Sequence, residues 1–101
     1  MPPAPGNVTG LTATPLSATS VKLDWTNPGN ADFAGVRICR NFGTVAPTLP
    51  CSGVNVTKPG ATYTDNTVVP GTQYTYAVFS FNTALVGSSG ASATVTTPTL
   101  G

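Results

Sequence analysis

Residues Val68 to Asn82 read Val-Val-Pro-Gly-Thr-Gln-Tyr-Thr-Tyr-Ala-Val-Phe-Ser-Phe-Asn, and no other stretch restricts the fold as much. Pro70 presets one backbone angle and Gly71 tolerates a left-handed one, so the pair makes a turn. The chain then enters a strand, whose side chains alternate between two faces. Tyr74, Tyr76, Val78 and Ser80 share one face; Thr75, Ala77, Phe79 and Phe81 share the other. Tyr74 stands where the turn becomes a strand. That placement predicts a tyrosine corner, a buried ring whose hydroxyl bonds backbone just upstream. Val68, Tyr74, Tyr76 and Val78 are therefore assigned to the core.

The same period of two recurs along the chain. Val21, Leu23 and Trp25 alternate with Lys22, Asp24 and Thr26, the clearest case, and put Trp25 in the core. Val8 to Thr14 forms an earlier strand, with Leu11 and Ala13 inward and Pro15 as its end. Phe33 to Arg40 follows, with Val36 and Ile38 inward and Arg37 and Cys39 outward. Val54 to Thr57 and Thr62 to Thr64 are short strands, the second with Tyr63 inward. Ala91, Ala93, Val95 and Thr97 alternate in the last strand. Turn residues punctuate these runs and no helical period occurs. Seven short strands with one wet face each predict an all-β sandwich of two antiparallel sheets. Its 101 residues suit one domain. Residues 1–6 and 98–101, rich in Pro and Gly, read as N- and C-terminal linkers around a domain at 7–97.

These segments resemble the fibronectin type III family over nearly the whole chain. Gly6 to Thr14 is similar to the family's opening strand, Ser20 to Trp25 to its second, and Phe33 to Ile38 to its third. Tyr63-Thr-Asp65 followed by Val68, Pro70, Gly71, Thr72 and Tyr74 resembles its most specific stretch, with Val68 where the family usually has Leu. The resemblance implies a seven-stranded immunoglobulin-like sandwich with its termini at opposite ends. The style of the sequence is similar to copies found in bacterial extracellular proteins, often beside polysaccharide-degrading domains. The Arg-Gly-Asp tripeptide of integrin-binding members is absent.

Two cysteines, Cys39 in a strand and Cys51 at the far end of a Pro-containing loop, are expected to form a disulfide. That pairing lies outside the general family pattern. Charged residues make up 7% of the chain, so Thr, Ser and Asn must carry its solubility, as on many secreted modules.

The residues argue against several chemistries. There is no His and no Glu, which removes the commonest general base and a common metal ligand. Asp24, Asp32 and Asp65 lie far apart in the chain, and Asp65 reads as a turn residue that bonds nearby amides. Calcium at the Asn30–Asp32 loop would have too few carboxylates. No cofactor, metal or catalytic residue is assigned. A net charge of +1 without a basic run argues against nucleic acid, and no apolar run reaches bilayer length. The Asn-x-Thr sequons at Asn7 and Asn55 match chance expectation in a Thr-rich chain.

The expected function is a non-catalytic, monomeric spacer or interaction module in a larger secreted protein, extracellular or at the cell surface. Its partners would be neighbouring domains of the same polypeptide. The alternative is a polysaccharide- or protein-binding module. That reading uses Phe79 and Phe81, expected on the outer face with Arg37 beside them as a cation–π partner, or the loop from Asn41 to Gly53.

Overall fold

A computed structural model describes residues 6–29, 33–48, 53–57, 60–82, 87 and 90–99. Cys51, the Asn30–Asp32 loop, the Lys58-Pro59 turn and the outer parts of both linkers lie outside the described residues. Seven strands form in chain order: β1 (Thr9–Ser17), β2 (Ser20–Thr26), β3 (Phe33–Phe42), β4 (Val54–Thr57), β5 (Thr62–Asp65), β6 (Gln73–Asn82) and β7 (Ala91–Thr96). They make two antiparallel sheets, ordered β1-β2-β5 and β4-β3-β6-β7. This is the antiparallel β-sandwich expected from the alternation, in the seven-stranded immunoglobulin-like arrangement that the resemblance implies.

Between the sheets lies the core. Val21, Leu23, Trp25, Phe33, Val36, Ile38, Val68, Tyr74, Tyr76, Val78 and Val95 are all buried there, with Tyr63 partly buried against them. Each of these strand residues except Phe33 sits on the face its period of two assigned; a register shift between Phe33 and Gly35 turns Phe33 inward, where strict alternation with Val36 and Ile38 would put it outward. Trp25 is anchored as well as buried: its Nε1–H donates to Asn27 Oδ1 at 2.8 Å, and Asn27 Nδ2 donates to the Gly60 carbonyl at 3.1 Å. A buried indole N–H needs such a partner.

Two boundaries differ from the sequence expectation. β1 does not end at Pro15 but continues to Ser17, with Pro15 opposite Val21 and a register shift just beyond. β1 is an edge strand, where a proline that cannot donate is tolerated. β3 runs on past Arg40 to Phe42, because Asn41 and Phe42 still pair with Thr75 and Tyr74.

The outer face of the larger sheet carries the main correction. Phe79 does face away from the core, but it is 4% exposed. It forms a small second cluster with Cys39 and Ala77, and Phe81 packs at its margin, partly buried. Cover comes from the chain after β6. Gly87 bridges back to Phe81. Gly90 lies over the Phe79 ring so closely that a Cβ there would approach Cε1 to 2.6 Å. Two outward aromatics on a strand could not be told from a covered pair, because the covering segment is Gly/Ser-rich and carries no apolar signal of its own.

Candidate functional site

Strand β1 packs against β7 and closes one side of the sandwich. On the other side a cleft of about 270 Å³ opens between β3, β4 and β5. Ile38 and Val54 supply apolar wall; Arg40, Tyr63, Asp65, Thr67 and Tyr76 supply polar groups. Arg40 and Tyr76 share the inward faces of β3 and β6, and Asp65 ends β5. The cleft thus gathers charge from both sheets.

Asp65 is its centre. Asp65 is 5% exposed as a residue, and its carboxylate accepts four hydrogen bonds. Oδ1 takes the Thr67 amide at 2.9 Å and the Thr67 hydroxyl at 2.5 Å. Oδ2 takes the Tyr76 hydroxyl at 2.8 Å and Arg40 Nη1 at 2.9 Å. The turn role expected for Asp65 is present in the bond to Thr67. The bonds to Arg40 and Tyr76 are additional and cross from one sheet to the other. Burial alone would raise the Asp65 carboxyl; the Thr67 hydroxyl and amide, the Tyr76 hydroxyl and the Arg40 guanidinium outweigh it and hold the group below its ordinary value. Burial, then the neighbouring carboxylate, push the Tyr76 phenol well above its ordinary range. Burial lowers Arg40, but bonding to Asp65 and its charge more than compensate, so the guanidinium stays protonated.

These shifts decide what the site can do. A general base works best with a pKa near the working pH and a lone pair free to take a proton. Asp65 has its pKa moved the other way and its oxygens occupied. Tyr76 is a donor already committed to Asp65. The arrangement stabilises fixed charges and suits holding two sheets together better than moving protons.

The tyrosine corner is present. Tyr74 is 1% exposed and its hydroxyl accepts a bond from the Val69 amide at 2.9 Å. Gly71 takes the left-handed conformation that the turn requires, with φ of 63°. The Arg40 guanidinium stacks on aromatic rings on the inward face, 4.8 Å from the Tyr74 centroid and 5.9 Å from that of Phe42. Arg37 lies on the outer face opposite Phe79 in register, the placement expected of it. Cys39 is buried on that outer face, and no described cysteine is a free thiol.

Sequence reasoning missed two residues. Arg40 shares the inward face with Val36 and Ile38, and an inward charge at a strand end calls for a carboxylate. Asp65, two residues from inward Tyr63, was the matching candidate. Phe42 continues the same face beyond the core and is 68% exposed.

Comparison with known proteins places this geometry. The family pattern described as Fibronectin type III domain matches residues 3–97. No curated protein matches the sequence. Among solved structures, the FN1-FN3 domains of chicken CNTN1 are similar, with a TM-score of 0.80 and 19% identity over 95% of this chain and 32% of that one. The FN3 domain of human collagen XX is similar with a TM-score of 0.73 and 22% identity, over 96% of this chain and 99% of that one. A part of the Clostridium perfringens spore cortex lytic enzyme SleM is similar with a TM-score of 0.73 and 16% identity, over 91% of this chain and 28% of that one. This chain therefore spans about a third or less of two of these three structures. At such identities the likeness is one of fold.

Proposed function

This chain belongs to the fibronectin type III family, and from that premise we propose that it is a non-catalytic module holding neighbouring domains of a larger extracellular protein apart. One observation carries the reading: the two described ends of the chain are fastened at opposite poles. Asn7 Oδ1 accepts the Gly90 amide at 2.9 Å, at the start of β7. At the far end of β7, the Thr97 amide donates to the Thr72 carbonyl at 2.9 Å and Thr97 Oγ1 donates to the Val69 carbonyl at 2.6 Å. A pull along the chain is thus carried through β7, which is bonded to β6 along its length.

The module works as a monomer, with neighbours in its own polypeptide as partners; its net charge of +1 gives nucleic acid nothing to bind. An extracellular setting is supported by the scarcity of charge, and a disulfide between Cys39 and Cys51 is part of the same proposal. Gly53, two residues past Cys51, lies so near Cys39 that a Cβ on it would stand 3.2 Å from Sγ. Closing that loop stabilises the fold by roughly 3 kcal/mol in the chain-entropy model. Non-reducing peptide mapping should recover the two cysteines in one linked peptide; two free thiols would remove the disulfide from the account. A bacterial origin rests on the style of the sequence alone.

The cover on Phe79 closes the outer aromatic face to a ligand. The isolated domain, passed over a panel of insoluble polysaccharides, should not be retained. Retention on one polymer, lost on competition with soluble oligosaccharide, would make it a binding module instead.

A further inference from the structure

β4 buries the least of the strands in the larger sheet. It has four residues and one partner, β3, and none of its side chains is fully buried. Val56 packs against the main core, and only in part. A short edge strand that buries so little opens readily unless its ends are fastened.

Both ends of β4 have a fastening. At the far end, the Thr57 carbonyl accepts the Gly60 amide at 3.0 Å. The Gly60 carbonyl accepts Asn27 Nδ2, and Asn27 Oδ1 holds the indole of Trp25, so this end is tied to the smaller sheet. At the near end, the chain enters β4 directly against β3. A Cβ on Gly53 would overlap the Ile38 carbonyl and crowd the Cys39 sulfur, so only glycine passes there. Ile38 is the partner of Val54, the first residue of β4, and Cys39 follows it in β3. The buried Cys39 sulfur therefore lies beside the point where β4 begins to pair.

We propose that the bond between Cys39 and Cys51 is a redox-sensitive latch on β4, an inference that rests on the disulfide reading above. With the bond closed, the loop between the cysteines is already shut, and β4 docks with little further loss of chain freedom. With the bond open, docking must itself close that loop. A dithiol reductant supplies two electrons and two protons. The S–S bond breaks, Cys39 and Cys51 become thiols, and the reductant leaves as its own disulfide. β4 then parts from Ile38 towards its anchor at Thr57. Val54 leaves the wall of the lateral cleft, and water reaches the bonds of Asp65 to Arg40 and Tyr76. β3 is left as a bare edge from Gly35 to Ile38. The rest of the sandwich stays folded, because the fully buried residues of its core all lie outside β4.

The test is hydrogen–deuterium exchange of the full chain, followed by mass spectrometry, with and without a dithiol reductant and with thiols counted in both samples. Both thiols should appear only with the reductant. The segment Val54–Thr57 should then exchange about tenfold faster or more, while β2 and β6 keep their protection. Unchanged exchange at Val54–Thr57 with both thiols free overturns the latch and leaves the disulfide standing. Protection lost from β2 and β6 together with β4 also overturns it, since the bond would then staple the whole fold. Free thiols before any reductant is added remove the disulfide and the latch with it. Cys51→Ala, which keeps the buried Cys39, should show the fast exchange at Val54–Thr57 without reductant; slow exchange there overturns the latch as well.

Discussion

Asp65 at the end of one sheet accepts a 2.9 Å hydrogen bond from Arg40 on the other, on the side of the sandwich where the cleft opens. The Asp65 side chain is 7% exposed and that of Arg40 29% exposed. Removing one partner of a buried pair leaves the other without compensation, a loss of about 3–5 kcal/mol when both are fully buried. Arg40 reaches water, which reduces this. Asp65→Ala should therefore cost about 2–3 kcal/mol in urea unfolding. Asp65→Leu with Arg40→Met should cost less than the two single changes added together, because neither charge is then stranded.

The same pair sets an acid limb of stability. The folded Asp65 carboxyl lies below its ordinary value, so the unfolded chain binds the proton first as pH falls. Its contribution is complete above the unfolded value of about 4 and disappears as pH drops through the folded one. Tyr76 gives the opposite limb. Its folded phenol is raised, so its contribution is complete below the unfolded value of about 10 and declines above it. Urea midpoints measured against pH should show a plateau between these limits. Asp65→Asn should flatten the acid limb, and Tyr76→Phe the alkaline one.

Tyr74→Phe removes the hydroxyl that accepts the Val69 amide. The ring keeps its packing, but a part-buried amide loses its partner. The expected cost is about 1–2 kcal/mol, seen as a lower urea midpoint with an unchanged slope. A variant as stable as wild type would mean that water replaces the hydroxyl.

Phe79→Ala separates a covered ring from an exposed one. An exposed phenyl could be truncated with little effect, whereas a buried one costs about 3–5 kcal/mol. At 4% exposure the second outcome is expected, at the lower end because the cluster is small. Gly90→Ala acts on the same contact from above. It places a methyl group 2.6 Å from the ring and forces alanine to φ of 93°, so it should also destabilise by a few kcal/mol.

Most of this fold was legible in the alternation. Leu23, Trp25, Val36, Tyr76 and Val78 lie inward because a strand offers only two faces and each run had one apolar face. Tyr74 could be read for its hydroxyl bond because a proline–glycine turn leads into it. What escaped were features set by segments far apart in the chain. The cover on Phe79 comes from glycines, which leave no hydrophobic trace. The cross-sheet bonds of Asp65 depend on two strand ends meeting, and each end taken alone reads as turn or surface. Phe42 was missed because the length of β3 is fixed by pairing with Thr75 and Tyr74 rather than by composition.

The most direct test of the central claim is a replacement in the parent polypeptide. This domain is exchanged for an unrelated β-sandwich of the same length with termini at opposite poles, and separately for a flexible Gly-Ser segment. The distance between the flanking domains is then measured together with the parent's activity. A spacer predicts that the unrelated sandwich restores both and the flexible segment does not. Failure of the sandwich, with spacing preserved but activity lost, would contradict the account and show that this domain supplies a specific contact of its own.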